Sequence, residues 1–367
     1  MTILFLCRED NLVREIRGYA RAFRRRGVRV ACVEHGFPLN GSLAHLLERC
    51  PERPALVFHP ESDYTLLPWG LSQVGIPTAL LQADPYAYTH RRVRWAMLFD
   101  YVLLLHGGFE ERFRKAGHPR PVTLPHAVDE GIFQGRPAER VLEVSSVGRG
   151  DGRNYRTRRK VLAELSDRFR TNQWWRRHSY EEMAQVYQAS KIVVNVPRDD
   201  FPVDVSLRFA EAMAAGALFI TRLPSELASL GFEENVHFAG FRERGELAGL
   251  VRRYLRDEAA RKRIADAGQE KVLREHTYAC RVDALLRRLE QDSGQLFAPA
   301  RQWSEERARR VYLDYYAANG CLDCAYGELR QIARQSLRHA MAGASLIARA
   351  WVRQSRNWMA ARVLRHS

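Results

Sequence analysis

The sequence predicts an α/β chain with two doubly wound parallel sheets in succession, followed by a helical tail. Three observations carry that expectation. Short apolar runs alternate with amphipathic helical stretches, the rhythm of βαβ units. The rhythm breaks once, within "GIFQGRPAER", and then restarts. The length of 367 residues suits two domains at the usual ~100–200 residues each.

The first series opens with "TILFL", a short buried strand, and continues with the helical stretch "NLVREIRGYARAFRRRG". Leu12, Ile16, Tyr19, Ala20 and Phe23 share one face of that helix, and Gly27 closes it. The runs "VRVACVE", "PALVF", "PTALLQ", "YVLLL" and "PVTL" read as the further strands. Glycine and proline in the polar stretch after Phe133 mark a boundary, which places the first domain at 1–135 and the second at 141–290. The second series runs from strand "VLEVSSVG" through helices "RRKVLAELSDRF" and "YEEMAQVYQA" to strand "KIVVNV". A helix opening at "SLRFAEAMAAG", a strand "ALFIT" and charged helices complete it. Residues 291–367 form the tail, read as helix throughout from Leu329 to Leu364. Leu329, Ile332, Ala333, Leu337, Ala340, Met341, Ala344 and Ile347 recur there at helical spacing among many arginines.

Hydrophobic residues at 46% and charged residues at 28% describe an ordinary globular chain. The net charge of +15 is less ordinary and points to acidic partners: nucleotide phosphates, anionic lipid or nucleic acid. The basic residues are spread over many helices with no nucleic-acid-binding motif, which argues against the last of these. Six thinly spread cysteines make no disulfide framework and fit a reducing compartment. The start "MTILFLCRED" lacks a basic leader, and no apolar run approaches the ~18 residues that span a bilayer. A cytoplasmic protein is expected. Cys321 and Cys324 in "CLDC" have no second pair of ligands, so two free thiols are expected there rather than zinc.

One stretch stands out chemically. "SLRFAEAMAAGALFIT" puts Arg208 on the first turn of a helix, where the dipole disfavours a cation. Ser206 is the expected N-cap, and Glu211 follows a turn later beside small residues. A cation there makes sense if an anion sits in front of the helix. The loop "GRGDGRNYRTRRK" adds Arg149, Arg153, Arg158 and Arg159 among glycines that allow close backbone approach. It is not a P-loop, because no Gly-Lys-Ser/Thr follows. In the first domain, polar residues fall at strand ends: His59, Glu61, Asp63, Asp84, His106 and His126. Open α/β sheets bind ligands at such ends, and Asp84, Asp63 or His106 is positioned to serve as a base.

Three segments in order resemble GT-B glycosyltransferases. "VTLPHAVDEGIF" is similar to the end of their first domain, "SLRFAEAMAAGALFIT" to their Glu-Ala-Met-Ala helix and following strand, and the helices from Leu250 to Leu286 to their C-terminal helices. The spelling "HTYACR" is most similar to the CgeB-like group. The resemblance covers roughly residues 1–290 and is strongest from Val122. It implies two Rossmann-like domains facing a cleft, with a nucleoside diphosphate sugar held mainly by the second, and sugar transfer to an unidentified acceptor; a tail lying on a membrane would suit an envelope glycan or lipid acceptor. It assigns ribose contact to Glu211, phosphate contact to Arg149 and nucleobase stacking to Trp174 or Trp175, which are read as adjacent in a strand. Where many relatives carry a sugar-contacting Glu, this chain has Val203, and Asp204 is the nearest carboxylate. No motif calls for a metal or cofactor. An epimerase of the same fold and a basic nucleic-acid-binding protein are the competing readings. The tail either packs across the first domain or lies on an anionic membrane surface, which would make the protein peripheral on the inner face.

Overall fold

The computed structural model describes residues 1–33, 41–60, 67–134 and 139–363, the side chains of Leu337 and residues 353–363 excepted. Ten strands are described: β1 (Thr2–Phe5), β2 (Arg29–Cys32), β3 (Leu56–His59), β4 (Thr78–Gln82), β5 (Tyr101–Leu104), β6 (Pro121–Thr123), β7 (Leu142–Ser145), β8 (Ser190–Asn195), β9 (Leu218–Arg222) and β10 (Ala239–Phe241). The helices up to the third strand of the second sheet are α1 (Arg14–Arg25), α2 (Leu43–Glu48), α3 (Thr89–Ala96), α4 (Glu110–Lys115), α5 (Glu130–Phe133), α6 (Arg156–Ser166), α7 (Tyr180–Gln188) and α8 (Arg208–Ala214). Then come α9 (Leu247–Arg256), α10 (Glu258–Glu275), α11 (Tyr278–Gln291), α12 (Glu305–Ala318), α13 (Leu322–Gln335) and α14 (Leu337–Val363). The chain divides into two compact units: Met1–Ile16, Phe23–Leu124 and Arg287–Ser367 form the first, Arg17–Ala22 and Pro125–Leu286 the second. The stretch "GRPA" at the sequence-predicted boundary lies outside the described residues.

The first unit is built on a six-stranded parallel sheet in the order β2-β1-β3-β4-β5-β6. Ile3 of β1 pairs with Val30 on one side and Leu56 on the other. Strands β1, β3, β4 and β5 are buried along their whole length. That is why they read as unbroken apolar runs: helices cover both faces of a parallel sheet.

The segments after Arg287 belong to this unit through specific bonds. Asp100, fully buried before β5, accepts from Thr78 N (2.8 Å), Phe297 N (2.7 Å) and Arg301 Nη2 (3.0 Å). Helix α12 is held to α3 by the Trp95 indole, whose N–H donates to Asp314 Oδ2 at 3.1 Å. The Tyr312 and Tyr316 hydroxyls donate to the carbonyls of Pro68 (3.1 Å) and Leu67 (2.5 Å). The tail is not helix throughout. Ser336, at φ −157°, separates α13 from α14, so the apolar stripe folds back on itself and Ile332, Ala340 and Ile347 are buried. Gly343 permits that packing: a Cβ there would stand 2.7 Å from Leu313 Cδ2 and 2.9 Å from Leu329 Cδ1. Met341, on the same stripe, is 72% exposed. Among the described residues no helix is long and apolar enough to cross a membrane.

The second unit carries a parallel sheet in the order β10-β9-β8-β7. Thr171 bridges Val144 in parallel, so the chain leaves β7 on one side and returns on the other as β8. Two apolar clusters cover the sheet's faces, one around Phe209, Met213 and Val272, the other around Val161, Leu165 and Ile264. Helix α7 starts at a capping box: Ser179 Oγ accepts from Glu182 N at 3.1 Å and Glu182 Oε2 from Ser179 N at 2.7 Å. Strand β10 has only three residues, one of them glycine, too short a run for periodicity to reveal. Each unit is thus a Rossmann-like α/β layer structure.

Candidate active site

In the second unit, the crevice at the carboxyl ends of β7 and β8 is the topological switch point, where open α/β sheets take their ligands. Two loops meet there. The loop after β7 is fixed at its root by Asn172, whose side chain accepts from Ser146 N and donates to Ser146 O, both at 3.0 Å. Arg158 and Arg159 then turn back onto the loop instead of facing outward. Arg158, 3% exposed, donates to Arg149 O (2.6 Å) and Val196 O (2.7 Å) and stacks on Tyr155 at 4.6 Å. Burial first, then the nearby charge of Arg208, bring its pKa down to about 9. Arg159 donates to Gly150 O (2.5 Å) and Gly152 O (2.8 Å). Of the four arginines named from the sequence, only Arg149 and Arg153 are exposed.

Arg208 lies across this loop. Its Nε donates to Val147 O, and Nη1 donates to Asn195 Oδ1 (3.2 Å) and Ser206 Oγ (2.8 Å). Nη2 forms no hydrogen bond to any described residue. The guanidinium covers Gly148, which has φ +146°; a Cβ there would stand 2.8 Å from Arg208 Cζ. Only glycine allows both the backbone angle and the approach. Asn195, 1% exposed at the end of β8, is the hub that sequence reading passed over: its amide also donates to Thr221 Oγ1 (3.0 Å) and Asp204 O (3.3 Å). A lone Asn in "KIVVNV" carries no signal of partners so far along the chain.

Ser206 is not the N-cap. The structure places it at φ +44°, outside the extended conformation a cap requires, and the cap position is Leu207, which makes no side-chain bond. The Ser206 hydroxyl serves Arg208 instead, while Asp204 Oδ1 accepts from Ser206 N at 2.7 Å and holds the turn. Helix α8 has only seven residues, so the guanidinium outweighs the helix dipole as the source of positive charge. Glu211 is 1% exposed on its first turn. The small residues beside it answer to packing: Ala210, Ala212, Ala214 and Ala215 are all buried, and α10 crosses at Gly268, where a Cβ would meet Met213 Sδ at 3.4 Å.

The two tryptophans sit in a turn after Thr171, not in a strand. Trp174 packs against the apolar cluster around Val161 and Leu165, and its indole N–H donates to Ser166 Oγ at 2.8 Å. Trp175 is 65% exposed.

In the first unit, Asp84 and His106 follow β4 and β5 at the carboxyl edge of the sheet. Asp84 is exposed and accepts from Tyr86 OH at 2.8 Å. His106 is buried, with its ring edge-on to Tyr86 at 5.7 Å. The structure therefore brings Asp84, Tyr86 and His106 together. Asp63 and Glu61 lie outside the described residues. His59 is buried against Phe99 and Tyr315, and burial pushes its pKa down to about 3, so it stays neutral. Arg92 was missed in the sequence. It sits among several cations of α3, yet its side chain turns in to donate to Gln82 Oε1 (2.9 Å) and Ala87 O (2.6 Å), and burial lowers its pKa to about 10. Cys321 and Cys324 are free thiols.

Residues 137–287 match the family model described as glycosyl transferase-like. Solved structures of similar fold include Anabaena HepE in complex with UDP and glucose, 15% identical with a TM-score of 0.56 over 79% of this chain and 100% of that one. A sucrose-phosphate synthase from Thermosynechococcus elongatus is 14% identical, with a TM-score of 0.54 over 79% and 98%. A glycosyltransferase from Rickettsia africae is 9% identical, with a TM-score of 0.55 over 79% and 98%. No curated protein matches the chain. These likenesses give the chain the GT-B fold.

Proposed function

With a GT-B fold and a glycosyl transferase-like second unit as the premise, we propose that the protein transfers a hexosyl group from a nucleoside diphosphate sugar to an acceptor hydroxyl. The observation that supports this reading is Arg208. Its guanidinium is held by Val147 O, Asn195 and Ser206 at the switch point of the second unit, with Nη2 left for a ligand. Sugar transfer builds negative charge on the departing diphosphate, and a pre-positioned cation stabilises it without reorganising at the moment of reaction. Arg149, exposed on the glycine-rich loop, is the second phosphate ligand. Asp204 and Ser206 shape the turn that aims Arg208. Glu211 takes the ribose hydroxyls. The stacking role moves from Trp174, whose indole is already engaged, to the exposed Trp175. HepE was solved with UDP, which makes UDP-hexoses the first donors to try.

On the first unit, Asp84 or His106 takes the acceptor proton in an inverting transfer; Asp63 is a further candidate. The acceptor is a lipid-linked or envelope glycan. Arg330, Arg334, Arg338 and Arg349 are exposed on α13 and α14 and draw a cytoplasmic enzyme to the anionic inner face of the membrane. The test is incubation with UDP-hexoses in the presence of anionic liposomes carrying extracted lipid acceptor. Released UDP with a glycosylated lipid is the expected outcome, cut ~10²–10³-fold in Arg208→Ala, the usual loss of one charge-stabilising donor. A new nucleotide sugar without released UDP would make the protein an epimerase.

A further inference from the structure

The first unit contains a cavity of about 560 Å³ between α3, α12 and α14 that none of these roles uses. Its size is that of small-ligand sites, which run from roughly 300 to 1,000 Å³. The floor is apolar: Met97, Val311 and Leu313 line it and are each at most 9% exposed. Trp303, Ala342 and Leu346 form the sides.

The mouth is cationic. Arg94, Arg307 and Arg310 line it and are exposed. Arg307 stacks on Trp303 at 4.1 Å and forms no ion pair among the described residues. Arg310 reaches Glu306 only at 3.8 Å, and Arg94 reaches Asp314 only at 3.6 Å. Asp314, the one carboxylate among the described lining residues, already accepts from the Trp95 indole at 3.1 Å and faces Arg91 at 3.7 Å. His339 faces Glu306 at 2.5 Å. The lining thus keeps a net positive charge at its opening above an apolar interior.

We propose that this cavity holds the hydrocarbon chain of an anionic membrane lipid, with the lipid phosphate on Arg94, Arg307 and Arg310. Arginine forks onto phosphate oxygens, and the chain gains by leaving water for the apolar floor. The wall helix favours the same occupant. Near the cavity α14 exposes Met341 (72%), Trp351 (60%) and Val352 (44%) beside exposed Arg338 and Arg349. Aromatic and apolar side chains among arginines are what an interfacial helix presents to an anionic bilayer. The site involves no residue of the donor or acceptor positions and does not depend on the transferase reading.

The test is titration of the full chain with dodecyl phosphate below its micelle concentration, followed by calorimetry and by tryptophan fluorescence. One ligand per chain is expected to bind saturably. Ala342→Trp, which fills the cavity from an exposed helix position, weakens binding at least tenfold, and so does the double variant Arg307→Glu/Arg310→Glu. Dodecyl maltoside, with the same chain and a neutral head, binds at least tenfold more weakly, and inorganic phosphate weaker still. UDP-hexose binding is unchanged in these variants. No saturable binding, or equal binding of the maltoside, overturns the proposal. Phosphate binding as tight as the alkyl phosphate identifies a free anion site and overturns it equally. If Ala342→Trp does not fold, Leu346→Trp replaces it, and the arginine double variant carries the same judgement.

Discussion

Gly148→Ala isolates the contact on which the donor site depends. The new Cβ would collide first with Arg208 Nη2, and would stand 2.8 Å from Cζ and 2.9 Å from Nε. Ordinary carbon contacts begin near ~3.5 Å, so the guanidinium has to retreat by roughly 1 Å or the loop has to open. A misplacement of about 1 Å in a positioned catalytic group costs on the order of 10²-fold in rate. The φ of +146° adds strain of about 1–3 kcal/mol to the folded state. Gly150→Ala is the control two residues on: its Cβ meets Trp174 Cζ3 at 3.7 Å, an ordinary contact, with no unusual φ. The assay is the initial rate of UDP release from the active UDP-hexose, with melting curves for both variants. Gly148→Ala is expected to lose ~10²-fold while remaining folded, and Gly150→Ala to stay within about threefold of the parent. A Gly148→Ala enzyme with a third or more of the parent rate would refute the role given to Arg208.

Other consequences can be checked separately. Glu211→Ala is expected to abolish transfer and nucleotide-sugar hydrolysis with the fold retained; full activity in that variant would remove the ribose contact from the account. His59, His118 and His276 are each at most 5% exposed, and burial holds their pKa values at about 3, about 4 and about 3. Their unfolded value is about 6.5, so the unfolded chain binds protons first, and the stability of the neutral rings is whole above pH ~6.5 and is lost as pH falls toward about 3. At pH 5 each ring costs about 2 kcal/mol, which urea midpoints will show as a steep fall below pH 6.5; a flat profile from 7 to 5 would contradict it. Asp100→Ala leaves the Arg301 guanidinium without its buried partner and should destabilise the chain by about 3–5 kcal/mol; a change in melting temperature within error would show the pair to be dispensable.

The strand and helix rhythm was legible because parallel strands covered on both faces are continuous apolar runs. Arg208 was legible because a cation on a helix's first turn demands a reason. Its supports were not. Val147 and Asn195 meet it from two strand ends while Thr221, on a third, braces Asn195, and only the parallel register of β7, β8 and β9 brings them together. Ser206 looked like a cap because its residue type fits one; it sits at positive φ instead, its N–H donating to Asp204 Oδ1. Arg158 and Arg159 looked like anion ligands because sequence shows charge but not direction, and both point back to their own loop. The break at Ser336 was hidden by a helical period that continues across it.

The most direct measurement is a thermal-shift titration of the parent protein and Arg208→Ala with UDP-, GDP-, dTDP- and ADP-sugars. A ligand at a hundredfold excess over its dissociation constant adds about 2.7 kcal/mol to the folded state, a rise of roughly 5–10 °C for a domain of this size. Such a rise is expected with at least one of these donors in the parent, and its loss in Arg208→Ala with the unliganded melting temperature little changed. No stabilisation of the parent by any of the four, or the same rise in both proteins, would contradict it.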